Sequence, residues 1–211
     1  MEIWSDNLHH YFKQREPKVL DEKLYQKYAI FIPVIAINEE LHLAFEVRSS
    51  YVSQPGEICF PGGKVDQEDS SPSEAAVREL SEELGVSKTK VNLIGALDYM
   101  VTPSKAMIFP FIGEIEKGTS LQINEREVKE VFTISLKELL SLKPQTHKIH
   151  LSIQPEDDFP YHLIPNGEDY LWSGGIIKEQ FYEYNNYIIW GLTARLLTHA
   201  LDEIKKSLSA N

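Results

Sequence analysis

The chain has 211 residues, 42% hydrophobic and 25% charged, enough apolar material for one sizeable core and not the composition of a disordered chain. Its formal net charge of −11 argues against a nucleic-acid partner, which needs an extended basic surface. No apolar run approaches the roughly 18 residues of a membrane span, no basic-then-apolar leader opens the chain, and the single cysteine, Cys59, rules out an internal disulfide, so the expectation is a cytoplasmic protein with no membrane partner.

From the N-terminus, residues 1–26 read as a polar extension, helical or loosely packed, with Trp4, Leu8, Tyr11 and Phe12 at helical spacing. The main domain is expected over 27–208. It begins with two β-rich runs, 28–37 and 41–47, joined as a hairpin by the turn Asn38-Glu39-Glu40. A polar loop over 49–56, a short extended piece over 57–60 and a tight turn at Pro61-Gly62-Gly63 follow. The spacing then predicts a helix over 72–84. Ser71 stands at its N-cap, Pro72 at N1 and Glu74 at N3, a capping box, and Gly85-Val86 supplies the C-terminal stop.

Strands are predicted over 91–101 and 106–115 around the turn Thr102-Pro103-Ser104, and over 127–134, with a short helix over 135–142. Residues 143–184 read as irregular; Tyr161, His162, Tyr170 and Trp172 read first as packing within that segment, with stacking on a ligand or lining its pocket as the alternative. A long helix is predicted over 187–208, with Trp190, Ala194, Leu197, Leu201, Ile204 and Leu208 as its apolar stripe. Strands and helices without strict alternation indicate an α/β fold with helices packed on a mixed sheet.

The chemistry concentrates in the middle of the chain. Seven acids (Asp66, Glu68, Asp69, Glu74, Glu79, Glu82, Glu83) fall within eighteen residues. At 100° per residue, Glu79, Glu82 and Glu83 span an arc of about 100° on the predicted helix, while Val77, Leu80 and Leu84 cluster on the other side. Arg78 precedes Glu82 by four, where the two can pair. A Gly-Gly turn that lets backbone approach a ligand precedes this face. Carboxylates in this setting suit Mg²⁺ or Mn²⁺, which take hard oxygen ligands and neutralise a diphosphate. Cys59, between Ile58 and Phe60, reads as a buried, inert thiol, and the histidines lack zinc spacing.

Gly63, the acid Asp69 and the run Arg78-Glu79-Leu80-x-Glu82-Glu83-x-Gly85-Val86 together resemble the Nudix box of the Nudix hydrolases. Asp69 stands where the general pattern has Glu, with one extra residue before Arg78, departures often seen in the coenzyme A pyrophosphatase-like branch. Val47-Arg48-Ser49 with Gln54-Pro55-Gly56-Glu57-Ile58-Cys59-Phe60-Pro61-Gly62-Gly63, and Ile189-Trp190-Gly191-Leu192-Thr193-Ala194, are similar to segments of that branch. Ser50, Tyr51, Val52 and Ser53 occupy the loop where the branch carries a basic residue.

The resemblance implies a Nudix-type α/β/α sandwich that cleaves coenzyme A, or an acyl or oxidised form of it, to 4′-phosphopantetheine and 3′,5′-ADP. The alternatives are a Nudix hydrolase of ADP-ribose or another nucleoside diphosphate derivative, and a non-catalytic nucleotide-binding module. It also implies Glu79, Glu83 and Glu82 as ligands of Mg²⁺ or Mn²⁺, and Arg78 and Asp69 as structural residues of the site. Gly63 would allow close backbone approach. Either Glu125 or Glu127 would be a further ligand or base. Arg48 and Lys64 are the nearest cations for the substrate diphosphate. The partner is a small nucleoside diphosphate, and a homodimer is left open.

Overall fold

The hairpin near the N-terminus forms the centre of the molecule. In the computed structural model, which describes residues 6–209, helix α1 (Asp6–Gln14) precedes strand β1 (Gln26–Ile37), and β2 (Glu40–Arg48) returns antiparallel to it. Leu8, Tyr11 and Phe12 lie on α1, while Trp4 of the predicted stripe falls outside the described residues. Asn38 and Glu39 both take positive φ, 48° and 66°, as the tightest hairpin turns require.

Beyond Val34 and Leu43 the two strands diverge, and the segment after the loop fills the fork. Strand β3 (Ile58–Cys59) pairs with Val47 and Glu46 of β2, and β4 (Gly62–Lys64) pairs with Ile30, Ala29 and Tyr28 of β1. The Phe31 N–H donates to the Pro61 carbonyl at 2.8 Å. Gly62 and Gly63 are therefore strand residues, which corrects the expected tight turn: β1 has a free edge there, and the chain satisfies it.

Helix α2 (Pro72–Leu84) has the predicted bounds. The Glu74 N–H donates to Ser71 Oγ at 3.2 Å. The other half of the capping box closes one residue early, because the Glu74 carboxylate accepts from the backbone N–H of Ser70 at 2.9 Å and from its hydroxyl. At the far end Gly85 takes φ 62°, and the segment that comes back past it caps the helix. Gln122 and Asn124 donate their N–H groups to the carbonyls of Leu84 and Glu83, each at 2.9 Å. α2 packs through Ala75, Ala76, Leu80 and Leu84 with Ala29, Phe31, Phe111 and Ile115. Val77 stays half-buried, so the alanines rather than Val77 make the close contact.

Strands β5 (Val91–Ala96), β6 (Met100–Val101), β7 (Ala106–Ile115) and β8 (Val128–Ser135) complete the main sheet, the predicted run over 91–101 being broken at 97–99. Among the described residues this sheet has eight strands. β7 runs parallel to β1 from Gln26–Ala106 to Ile35–Ile115, β8 lies antiparallel on the other edge of β2, and the sheet is mixed as expected. Helix α3 (Leu136–Ser141) follows β8.

The C-terminal third departs from expectation. Residues predicted irregular contain β9 (Gln145–Leu151) and β10 (Gly175–Tyr184), which pair antiparallel, and β11 (Tyr187–Ile189) adds to β10. Every residue of β9 is exposed, so no buried face wrote an alternation into its sequence. The last helix, α4 (Gly191–Ser209), starts at Gly191 rather than 187, because 187–189 serve as a strand. Ala194, Leu197, Ala200 and Leu201 share a core with Leu43, Phe45 and Ile134, so α4 and α2 cover opposite faces of the sheet. Trp190 and Leu208, assigned to the stripe, are exposed. No helix among the described residues is long and apolar enough to cross a membrane.

Candidate active site

Arg78, on the outer face of α2, gathers most of the acids singled out from the sequence. Its Nε and Nη2 donate to the two Asp69 oxygens at 3.0 and 2.8 Å, and Nη2 also donates to the Lys64 carbonyl at 3.1 Å. Nη1 donates to Glu79 Oε1 at 2.9 Å and to Glu82 Oε2 at 3.2 Å, the i,i+4 pair expected. The Asp69 side chain is only 4% exposed. The guanidinium holds the Asp69 carboxyl below its usual range, and Asp69 first, then Glu79, hold Arg78 charged. A planar fork answering two carboxylate oxygens is geometry that a lysine cannot supply.

The three glutamates of α2 do not share one environment. The side chain of Glu82 is 54% exposed and that of Glu79 16%, while Glu83 is buried at 6%. The arc of carboxylates thus runs from solvent into the core, which corrects the picture of one acidic outer face. Glu83 Oε2 accepts the Gly62 N–H at 2.8 Å, so β4 anchors it. Burial pushes the Glu83 carboxyl up, the Glu46 charge pushes it further, and the Gly62 bond opposes both. Burial also raises Glu79, against the pull of Arg78. Gly63 sits tightly beneath this group, since a Cβ there would overlap the Glu79 carboxylate.

Of the two loop acids, Glu127 belongs to this neighbourhood. Its charge is among those that raise Glu46, Glu79 and Glu83, and its Oε2 accepts from Asn124 Nδ2 at 3.0 Å. Both Glu125 and Glu127 are exposed, and Glu125 is not among those charges.

Sequence reasoning missed Glu46. It lies on β2, 1% exposed, opposite Cys59. The Cys59 thiol donates to its Oε1 at 3.1 Å, while Oε2 is buried with no hydrogen-bond partner. Burial and the Glu46 charge push the thiol up, so Cys59 stays protonated, as expected of an inert cysteine. One acid inside the apolar run Leu43–Val47 was the available signal, since a charge is not placed mid-strand without a partner.

On the α4 side of the β3–β4 strip lies a cleft of about 610 Å³, lined by Tyr28, Ile30, Phe60, Ile108 and Trp190, with Arg48 and Gly63 also in its lining. Arg48 Nε donates to the Ser53 carbonyl at 2.8 Å. Lys64 is exposed and does not line the cleft; what it gives the site is its carbonyl. The Thr193 hydroxyl donates to the Ile58 carbonyl at 2.9 Å and ties α4 to the strip. Ile189 and Ala194 are packed in the core, whereas Trp190, Gly191, Leu192 and the nearly buried Thr193 line the cleft. Tyr170 and Trp172 pack edge to face with each other, away from the cleft.

Hard oxygens only, one of them orphaned and buried, and carboxylates that raise one another's pKa make a donor set that fits a divalent cation. Among the described residues no three acid, histidine or cysteine side chains are grouped to hold an ion as they stand. Glu79 and Glu83 would have to share or exchange their bonds to Arg78 and Gly62.

A mixed sheet between α2 and α4, with an anchored run of glutamates opening beside a Gly-Gly strand, defines a Nudix-type fold. The NUDIX domain family model matches residues 28–155. The chain belongs to the Nudix family and is a Nudix hydrolase. It is 32% identical over 171 residues to the peroxisomal coenzyme A diphosphatase NUDT7 of Mus musculus, covering 81% of this chain and 66%, just under two thirds, of the mouse protein. It is 28% identical over 177 residues to the uncharacterized Nudix hydrolase NudL of Photorhabdus laumondii, covering 84% of each. A MutT/nudix family protein from Enterococcus faecalis shares the fold, with a TM-score of 0.50 at 15% identity over 92% of this chain and 66% of that one.

Proposed function

We propose that the chain is a Mg²⁺- or Mn²⁺-dependent diphosphatase acting on coenzyme A, or on an acyl or oxidised form of it, with 4′-phosphopantetheine and 3′,5′-ADP as products. The observation that carries this reading is the group of buried carboxylates, Glu79 and Glu83 held by Arg78 and the Gly62 N–H, beside a cleft with an apolar wall. Glu79 and Glu83 would hold the cation, with Glu82 joining them or remaining with Arg78. When bound, the ion supplies a water acidic enough to attack phosphorus and neutralises diphosphate charge.

The protein's own groups do the rest. Arg78 and Asp69 fix the α2 carboxylates. Glu127 is favoured over Glu125 as proton acceptor, because its charge is among the influences that raise Glu46, Glu79 and Glu83. Arg48, in the lining of the cleft, meets the diphosphate, whereas Lys64, outside that lining, serves the site through its carbonyl. Tyr28, Ile30, Phe60, Ile108 and Trp190 offer the pantetheine arm an apolar wall. The coenzyme A diphosphatase among the relatives supports this choice of substrate.

The test is incubation with coenzyme A, an acyl-coenzyme A, ADP-ribose and NADH, with Mg²⁺ or Mn²⁺ and chromatographic separation of products. Coenzyme A derivatives are expected to turn over fastest, and a much faster ADP-ribose reaction overturns the substrate assignment. Glu83→Gln should lose roughly a hundredfold or more in kcat. Undiminished turnover in that variant sinks the mechanism.

A further inference from the structure

Glu46 has a place in the site that the residues of α2 leave open. Its cross-strand partner on β8 is Val131, and paired residues share a face of the sheet. Val131 packs with the core built on α2, whereas the neighbours of Glu46 in sequence, Phe45 and Val47, belong to the core under α4. The Glu46 side chain therefore projects toward α2. Its charge acts on Glu83, and those of Glu79 and Glu127 act on it, so carboxylates from β2, α2 and the 121–127 loop lie within electrostatic range of one another.

Arg48 and Arg78 exert their charges here, but neither answers Glu46 Oε2. Arg48 donates to the Ser53 carbonyl, and Arg78 to Asp69, Glu79 and Glu82. A carboxylate oxygen shut away from water without a partner is unfavourable, and Glu46 Oε2 is such an atom. The thiol of Cys59 holds the other oxygen, Oε1, and so fixes the rotation of the carboxylate.

We propose that Glu46 is a ligand of the divalent-cation site, presenting Oε2 to the ion from the floor of the sheet while Glu79 and Glu83 approach from α2. This rests on the reading of α2 as a cation site. The ion then sits against β2 as well as the helix, and Cys59 acts as a positioning residue for its deepest ligand. Cation binding should also stabilise the fold, because the ion answers a buried oxygen that the protein leaves unpartnered.

Mn²⁺ binding followed by electron paramagnetic resonance tests the proposal on the unmodified protein, on Glu83→Gln and on Glu46→Gln, with melting curves in the presence and absence of the ion. Glu46→Gln keeps the shape and is expected to weaken Mn²⁺ binding by about tenfold or more. It should also shrink the rise in Tm produced by Mn²⁺ while leaving the metal-free Tm equal or higher, which a merely structural role would not do. If the unmodified protein binds no Mn²⁺, the metal reading of α2 falls and this proposal with it. If Glu83→Gln loses binding and Glu46→Gln binds as tightly as the unmodified protein, only the proposal is overturned, and a buried water is the partner of Oε2. Should Glu46→Gln not fold, the Glu46 carboxyl carbon resonance in the unmodified protein decides: a shift that saturates with Mg²⁺ supports the proposal, and an unmoved resonance overturns it.

Discussion

Arg78 makes five hydrogen bonds to four partners, Asp69, Glu79, Glu82 and the Lys64 carbonyl. It sets the direction in which the α2 carboxylates point before any ligand arrives. Because the Arg78 fork donates to both of its oxygens, the Asp69 carboxyl is lower in the folded protein than the ordinary 3.8. A depressed acid contributes stability that is present above its unfolded value and is lost as pH falls through its folded value. Asp69→Asn should therefore be less stable than the unmodified protein near neutrality, and the difference should close as pH drops below 3.8. Thermal unfolding across pH measures this, and a difference that stays constant with pH would show that the Asp69 charge is not what Arg78 holds.

Helix α2 is stabilised at both ends by separate means. Its N-terminus is capped locally, by Ser71 and by the Glu74 carboxylate turned back to Ser70. Its C-terminus is capped from a distance, by Gln122 and Asn124, and this requires the left-handed Gly85 with no side chain beside the Gln122 carbonyl. Ser71→Ala should cost about 1 kcal/mol in urea unfolding, the usual loss of an N-cap. Gly85→Ala should cost more, about 1–3 kcal/mol for the strained φ alone, plus displacement of the 121–124 segment. Because that segment leads into Glu127, Gly85→Ala should also lower kcat, whereas Ser71→Ala should not. If Gly85→Ala is no more harmful than Ser71→Ala, the packed turn is not a structural element of the site.

The whole molecule assembles the site from a fork. β1 and β2 separate past Val34 and Leu43, β3 and β4 occupy the gap, and α2 and α4 close on it from opposite faces. Glu46, Cys59, Gly62, Glu83 and Glu127 meet there although the chain between the first and last is some 80 residues long. The proposed function also separates Glu125 from Glu127, two residues that sequence left equivalent. Glu127→Gln is expected to lose about a hundredfold in kcat if it accepts the proton, and Glu125→Gln should stay within a few-fold of the unmodified enzyme. Equal losses in steady-state kinetics would remove the distinction.

What could be read in advance follows the range of the interactions involved. The bounds of α2, the i,i+4 pair of Arg78 with Glu82 and the hairpin of β1 and β2 depend on neighbours within a few residues, and the sequence carries them openly. β9 was missed because its exposed faces demand no alternation, and with it the pairing of β10, whose buried Tyr182 stands among partly buried and exposed residues without alternation; α4 was begun too early because Tyr187–Ile189 is apolar enough for either a strand or a helix. Gly62 and Gly63 looked like a turn, since nothing local shows that β1 leaves an edge for them to pair with. By itself, then, the sequence determined the mixed α/β class, the carboxylate helix and the Nudix family. Only the tertiary structure decided that Glu83 is buried while Glu82 stays exposed, and that Glu46 is buried on β2 with one oxygen unpartnered, because burial is a property of the packed chain and not of any stretch of it.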